Sequence, residues 1–314
     1  MIQTVTGLIE KTELGAVLMH EHISCSSLSY ERNFGSKWLD KKHLKDLSVQ
    51  TMKLLKEKYG LGLMVDGTPI DLGRDVLLLK EVSELSGVKI VASTGFYHLQ
   101  GIETINNSPM ELAKWLISEC QNGVMGTNVK PGILKCATGE LGITKDNQKK
   151  LSTMGIVQSQ TGLPLFVHCE HRDDVARKQI ELLCSNGANI QKIIIGHTAI
   201  RPDGEYLESI LQKGCYICID QCHCYPDKLK EASKAILYLC KKGYTNKIVL
   251  SNDYCLHSDF CKKDIDGLHL NSVQHAQGFG YVFDKLHDEF ILLGGSNKDW
   301  ITMITKNPIQ VLDV

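Results

Sequence analysis

Five short apolar runs in this chain each end in a side chain that could face a metal ion. The first, Val17–His22, carries His20 and His22. Because side chains alternate along a β-strand, this spacing places both imidazoles on one face. The other runs end in Lys135, His168, His197 and Asp253. An isolated pair of histidines is more often ordinary polar packing, but five runs with the same ending indicate a shared site.

The histidines and the aspartate form a nitrogen and oxygen ligand set that suits Zn²⁺, Mn²⁺ or Co²⁺. Four imidazoles and a carboxylate exceed what one tetrahedral ion requires, so the set predicts two divalent ions. The residue types do not choose among the three metals, because each accepts these ligands.

Lys135 is the exception in this group, since an ammonium is repelled by metal ions. Burial among cations lowers the pKa of a lysine and makes its amine neutral and nucleophilic. Such an amine could take up CO₂ and become a carbamate, an anionic bridge between two metals. By residue type alone, a substrate-binding cation or a side chain that reaches solvent are the more ordinary explanations.

The elements that must position these residues alternate between strand and helix. Residues 3–14 predict a short β-hairpin, with its turn near Lys11–Gly15. Strands are predicted at 17–22, 61–66, 88–93, 132–136, 164–169, 192–196, 215–220 and 247–252. Helices are predicted at 41–59, 71–86, from Ser108 onward, and at 145–161, 173–185, 205–213 and 227–242. A long segment without clear period, 253–280, precedes helices near 281–293 and 299–305.

Eight strand–helix units with continuously apolar strands predict a parallel sheet covered by helices. The count favours an α/β protein of the (β/α)₈ TIM-barrel class over an open sheet. We expect residues 1–314 to form a single domain, with a short N-terminal β-hairpin and a long loop after strand 8. In such a barrel the C-terminal strand ends form the active-site mouth, which is where all candidate ligands lie.

Composition excludes several classes of function. The formal net charge is −1 and the sequence pI about 6.8, so nucleic acid is disfavoured as a partner. The twelve cysteines are spread through apolar runs, which is atypical of a disulfide framework. No signal peptide or membrane-spanning run is visible, and we expect a cytoplasmic protein with reduced thiols. The missing Gly-x-Gly-x-x-Gly disfavours a dinucleotide enzyme.

Motifs along most of the chain resemble those of the phosphotriesterase family, within the amidohydrolase superfamily. They are Met19-His20-Glu21-His22, Asp66-Gly67-Thr68, Ile70 to Asp75, Ala92 to Tyr97, Gly132 to Lys135, His168-Cys169-Glu170, Gly196-His197 and Leu250 to Asp253. The resemblance implies a carbamylated Lys135 that bridges two metals, most often zinc. It assigns His20, His22 and Asp253 to the more buried ion, and His168 and His197 to the more exposed one.

The resemblance also implies a mechanism for ester hydrolysis. A metal-bridging hydroxide attacks the carbonyl or phosphoryl centre, and Asp253 shuttles its proton to the leaving oxygen. With Asp253 and Lys135, Tyr97 is a catalytic candidate, placed to assist the substrate carbonyl. A packed aromatic is an equally good interpretation of Tyr97.

Two departures from the family pattern bear on the substrate. Thr198-Ala199-Ile200-Arg201 lacks the acidic residue that many members carry after the strand 6 histidine, and Asp220 is followed by Gln221 instead of His or Arg. Both weaken the proton relay of phosphotriester hydrolases and favour lactonase activity, phosphorylated sugar lactones included. Aryl-ester, carboxylester or phosphotriester hydrolysis is the alternative, and a non-catalytic metal- or ligand-binding barrel is a second.

Specificity should come from loops at the mouth. The substrate-binding candidates are His171, Arg201, His223, Tyr254 and His257. Lys242, His257, Lys262 and Lys263 could supply positive charge for a distal phosphate. Cys222-His223-Cys224 is cramped for a separate zinc site, so structural or substrate-facing roles are favoured. The expected partner is a small ester or lactone, and the sequence is compatible with a homodimer.

Overall fold

The structure is a computed structural model that describes residues 1–12, 14–259 and 267–314. Its strands are Ile2–Thr4 (β1), Gly7–Ile9 (β2), Ala16–Cys25 (β3), Leu61–Asp66 (β4), Lys89–Gly95 (β5), Ile133–Ala137 (β6), Leu165–His168 (β7), Ile193–Ile195 (β8), Tyr216–Ile219 (β9), Ile248–Leu250 (β10) and Cys255–Ser258 (β11). Among the helices of these residues, none combines the length and apolarity needed to cross a bilayer.

The helices follow the strands along the chain. They are Leu28–Phe34 (α1), Lys41–Tyr59 (α2), Val76–Ser86 (α3), Ile102–Asn106 (α4), Pro109–Asn122 (α5), Lys145–Thr161 (α6), Val175–Ser185 (α7), Gly204–Leu211 (α8), Leu229–Lys241 (α9), Ser272–Phe279 (α10), His287–Leu292 (α11), Asn297–Ile301 (α12) and Asn307–Val311 (α13). Two π-helical turns, Val282–Leu286 and Thr302–Lys306, link the last helices.

The main sheet is parallel, and its strand order is β10-β9-β8-β7-β6-β5-β4-β3-β11. It curls until β10 and β11 meet β3. The Asp253 N–H donates to the His20 carbonyl at 2.8 Å, and the His22 N–H donates to the Tyr254 carbonyl at 2.9 Å. The fold is the predicted TIM barrel, and β1 and β2 form the predicted antiparallel hairpin beside it.

Several predicted bounds match the structure, namely those of α2, β4 and α6. The hairpin turn is different: it lies at Val5–Thr6 and not near Lys11–Gly15. The helix predicted from Asp71 begins at Val76, because Asp75 caps it by accepting from the Leu78 N–H. The segment predicted as a long loop contains β11 and α10, and α10 opens with a capping box between Asn271 and Gln274.

Buried apolar side chains form two clusters, one on each side of the sheet. The larger cluster packs between strands and helices, whereas a smaller one fills the barrel interior. Leu18 belongs to the outer cluster, and Val17 and Met19 belong to the inner one. Strict alternation would therefore send His20 outward. A register irregularity between Leu18 and Glu21 interrupts the alternation, and the histidine side chains face the mouth.

Candidate metal centre

All six predicted ligands converge at the C-terminal ends of the strands. His20 and His22 lie on β3, Lys135 on β6 and His168 on β7, whereas His197 and Asp253 follow β8 and β10. The four imidazoles and Lys135 are buried. Asp220 was not among the predicted site residues, although it follows the apolar strand β9 at the same level. The pattern that identified the other ligands applies to it equally.

Among the described residues, two groups bring their ligand atoms close enough to hold an ion: His20 with His22 and Asp253, and His20 with His197 and Asp220. Asp253 Oδ1 lies 3.1 Å from His22 Nε2 and 3.3 Å from His20 Nε2. The remote nitrogen of each ring is held from behind, since His22 Nδ1 bonds Thr68 Oγ1 at 2.8 Å and His20 Nδ1 bonds Asp220 Oδ2 at 2.9 Å. Such outer contacts fix ring orientation and leave the Nε2 atoms directed at the site.

His168 and His197 form the other side of the centre. His197 Nε2 lies 2.6 Å from His168 Nδ1. The Asp220 carboxylate accepts from the His197 backbone N–H at 2.7 Å and lies 3.2 Å from its Nδ1. Asp220 therefore contacts one histidine of each side. Burial alone would raise the pKa of Asp220, but the two histidines hold it well below its usual range.

Lys135 lies between the two sides. Its Nζ is 2.5 Å from His20 Nε2 and 4.5 Å from the centroid of the Phe166 ring. No carboxylate of the described residues forms an ion pair with it. Burial lowers the pKa of this amine, because the charged form loses its hydration.

The residues present fit a divalent metal centre. Burial lowers the pKa of His20 to about 3 and that of His168 well below its usual value, so both rings are the neutral form that binds metals. His168 Nε2 is buried and has no hydrogen-bond partner among the described residues, and Glu170 Oε1 lies 3.5 Å away. Against the opposing effect of burial, Cys25 and Asp253 raise the pKa of His22, and Asp220 and Asp253 raise that of His197, so these two rings would lose a proton on binding an ion. Imidazoles with a carboxylate form the borderline donor set of zinc, manganese and cobalt sites.

Three consecutive strands end in a left-handed residue. His197, Gln221 and Asp253 have φ angles of 60°, 59° and 56°. Such angles cost non-glycine residues conformational energy and are kept only where the surroundings enforce them. At Asp253 the enforcing group is the buried Glu21 carboxylate, which accepts from the Asn252 and Tyr254 N–H groups, both at 2.8 Å. The Gln221 amide also contributes, because its Nε2 donates to Asp253 Oδ2 at 2.7 Å.

Tyr97 stands at the rim of the centre, with its ring edge-on to His168 at a centroid distance of 5.3 Å. Its backbone is held by two charged side chains. Its N–H donates to both oxygens of Asp71, at 2.7 and 2.9 Å, and its carbonyl accepts from Lys150 Nζ at 2.9 Å. Tyr97 therefore has a fixed position beside a candidate ligand.

The substrate-binding candidates are not all at the mouth surface. His171 is buried behind it, with Nδ1 3.0 Å from the Tyr206 hydroxyl and Nε2 2.6 Å from the Gly196 carbonyl oxygen. Arg201 is exposed and stacks on Tyr206, at 3.8 Å from the ring centroid.

The candidates that follow β9 and β10 lie in different environments. His223 and Tyr254 are half-buried neighbours, with ring centroids 5.7 Å apart. His257 is buried on β11 opposite Ser24. Lys242 caps the C-terminus of α9, which leads into the N-terminal end of β10, so it lies at the end of the barrel away from the candidate ligands. Lys262 and Lys263 lie outside the described residues.

The phosphotriesterase family model matches residues 1–312. The chain belongs to the phosphotriesterase family. This membership confirms the resemblance found in the motifs, and the chain is a hydrolase of that family.

Several relatives in other organisms share about a quarter of their residues with this family member. An aryldialkylphosphatase of Saccharolobus solfataricus is 29% identical over 80% of this chain and 81% of its own. An N-acetyltaurine hydrolase of Mus musculus is 26% identical over 99% of this chain and 97% of its own. The solved structure of the phosphotriesterase from Mycobacterium tuberculosis superposes with a TM-score of 0.88 at 24% identity, covering 99% of this chain and 98% of that one.

Proposed function

We propose that this protein is a two-metal hydrolase that acts on lactones, including phosphorylated sugar lactones. The observation that carries the proposal is the convergence of His20, His22, His168, His197 and Asp253 around the Lys135 amine. A non-catalytic barrel has no need of an amine with a lowered pKa among metal-binding imidazoles.

In this proposal His20, His22 and Asp253 would hold one ion, His168 and His197 would hold the other, and a carbamate on Lys135 would supply further anionic oxygen donors to the centre. The neutral amine adds to CO₂, forms a nitrogen–carbon bond and releases one proton, which leaves an anionic carboxylate on Nζ. Zinc suits the set, and manganese and cobalt are accepted. When bound, two such ions lower the pKa of a water molecule and polarise the substrate oxygen.

Asp253 is the proposed proton shuttle. A water oxygen bonds to the lactone carbonyl carbon, and the proton it loses passes to the Asp253 carboxylate. The bond between that carbon and the ring oxygen then breaks, and Asp253 delivers the proton to the departing alkoxide. Tyr97 is the proposed orienting contact for the substrate carbonyl.

The preference for lactones is supported by the segment after His197. Thr198 Oγ1 donates to the Cys218 carbonyl at 2.7 Å, and Arg201 stacks on Tyr206, so neither extends a proton relay from Asp253. A proton retained at Asp253 is useful to an alkoxide of high pKa and superfluous to an activated aryl leaving group.

An amide is a second candidate substrate. The N-acetyltaurine hydrolase relative matches 99% of this chain, and its name describes hydrolysis of an N-acyl bond. An amine leaving group also needs a proton from Asp253, so the same site chemistry would serve it.

The test is elemental analysis together with kcat/KM over sugar lactones, phosphorylated sugar lactones, acyl-homoserine lactones, N-acyl amides, aryl esters and phosphotriesters. We expect about two transition-metal ions per chain and the highest values with lactones. If phosphotriesters exceed lactones by more than about tenfold, a difference of about 1.4 kcal/mol, the lactonase proposal is wrong. Full activity without metal would eliminate the metal mechanism.

We propose that residues 1–314 act as one hydrolase domain in the cytoplasm, on a small molecule and not on nucleic acid or a membrane, with a homodimer compatible with this role.

A further inference from the structure

Gln221 occupies an unusual position for a glutamine, between a buried aspartate and the proposed shuttle. It follows Asp220 at the end of β9 and adopts a left-handed φ of 59°. Its backbone N–H donates to the Asn252 carbonyl at 2.9 Å, and its side-chain Nε2 donates to Asp253 Oδ2 at 2.7 Å. Backbone and side chain therefore both tie the end of β9 to the segment that carries Asp253.

The two oxygens of the Asp253 carboxylate have different surroundings. Oδ1 faces His20 and His22, whose Nε2 atoms lie 3.3 and 3.1 Å away. Oδ2 receives the Gln221 amide, and His197 Nδ1 lies farther away, at 3.7 Å. The amide therefore adds a second contact that holds the carboxylate in this orientation.

We propose that Gln221 is a positioning residue that determines which leaving groups this enzyme accepts. An amide donates a hydrogen bond to Oδ2 but neither gives up nor takes a proton at neutral pH. The proton that Asp253 receives from water therefore has no onward carrier through Gln221. It stays in the site until the carbon–oxygen bond breaks, and it then passes to the leaving oxygen.

This inference rests on the proposed role of Asp253 and deepens it. Esters and lactones whose alkoxide needs a proton should depend on the fixed carboxylate, because proton transfer requires a short, aligned contact. Esters with a nitrophenyl leaving group should not depend on the fixed carboxylate, since that group departs without a proton. The substrate class is thus selected by a residue that acts through Asp253.

The experiment compares Gln221→Met with the wild type, both loaded with excess zinc. The substrates are a lactone and two esters that share one acyl group, one with an alkyl and one with a nitrophenyl leaving group. Methionine keeps the length and removes the donor. We expect kcat for the lactone and the alkyl ester to fall about tenfold, the low end for a lost hydrogen bond to a charged group. The nitrophenyl ester should change less than about twofold.

A second readout does not depend on turnover. Retention of zinc against a competing chelator should weaken about tenfold in Gln221→Met, as is common when an outer contact of a ligand is removed. Gln221→Asn provides a variant that keeps the backbone, because asparagine tolerates left-handed φ angles and its shorter side chain cannot reach Oδ2. It should show the same selective loss. Gln148→Met, at an exposed position of α6, is the matched control and should behave as the wild type.

An equal loss on the alkyl and nitrophenyl esters would overturn the proposal, since a purely structural defect affects both. No loss on either, or zinc retention equal to the wild type, would overturn it as well. The wild-type panel separates the two proposals: if lactones are poor substrates of the wild type, the lactonase proposal fails. The difference between the alkyl and nitrophenyl esters still decides the role of Gln221.

Discussion

Among the described residues, two lysines are buried, Lys135 and Lys150, and their surroundings are opposite. Lys150, on α6, lies 3.3 Å from an Asp146 oxygen and 3.6 Å from an Asp71 oxygen, and it donates to the carbonyls of Tyr97 and Leu99. Lys135, on β6, has an imidazole and a phenyl ring as its near neighbours, and no carboxylate of the described residues pairs with it.

The surroundings assign different roles to the two lysines. A buried charge surrounded by carboxylates and carbonyls is a structural connector, and its removal leaves the partners uncompensated. At Lys135 the burial outweighs the attraction of Asp253 and Asp220 and lowers the pKa, which favours the neutral and nucleophilic form of the amine. The first connects α6 to the Tyr97 loop, whereas the second is available for chemistry. The predictions below test this separation.

The largest expected effect is on activity at Lys135. Lys135→Met should lower kcat/KM by about 10³-fold or more, about 4 kcal/mol, because the proposed bridge is lost. Its stability without metal should equal or exceed that of the wild type, since an apolar side chain suits the site. Denaturant unfolding after chelation and steady-state kinetics measure the two quantities. Partial rescue by short carboxylates would support the bridge, and normal activity would refute it.

Lys150→Met should act chiefly on the free energy of unfolding, in contrast to Lys135→Met. Removing the amine leaves the partly buried Asp71 and Asp146 carboxylates without their shared cation, and we expect a loss of about 3 kcal/mol in the free energy of unfolding. Urea denaturation measures it, with Lys145→Met at an exposed position of the same helix as control. A change below about 1 kcal/mol, the range of surface pairs, would show that the connector is dispensable.

A third buried base, His171, sharpens the comparison because it too lacks a carboxylate ion pair among the described residues. Burial lowers its pKa to about 4, from 6.5. Between these pH values the His171 ring binds a proton in the unfolded chain but not in the folded protein. The free energy of unfolding should therefore fall as the pH decreases from about 6.5 toward 4. The largest loss expected from this one residue is about 3 kcal/mol.

The measurement is the free energy of unfolding between pH 7 and 4 for the wild type and His171→Asn. Asparagine tolerates the left-handed φ of 42° at this position. The wild type should lose more stability over this interval than the variant. Parallel curves would mean that His171 does not titrate as its burial predicts.

The smallest expected effect is at Tyr97, whose loop Lys150 holds. Tyr97→Phe keeps the ring contact with His168 and removes the hydroxyl. If the hydroxyl orients the substrate carbonyl, kcat/KM should fall by about fivefold, within the usual value of one hydrogen bond. Unchanged stability and unchanged kinetics together would show that Tyr97 is a packed aromatic only.

Much of the site could be predicted because its signals are local. Each predicted ligand ends an apolar run, and in a parallel barrel all strand C-termini reach one mouth. Helix α6 was predictable over its full length, and so was the capping box that opens α5 at Ser108. Asp220 was missed as a site residue although it ends a run in the same way, and the structure places its carboxylate against His20 and His197.

The candidate metal ligands and their order along the strands can be predicted from the sequence, since apolar runs and strand ends are properties of neighbouring residues. How these side chains face one another depends on the tertiary fold. The irregularity between Leu18 and Glu21 directs His20 and His22 to the mouth, and the Glu21 and Gln221 contacts orient Asp253. The Glu21 contact joins residues more than 200 positions apart in the chain, and the Gln221 contact joins the ends of two neighbouring strands. Local sequence patterns do not encode either contact.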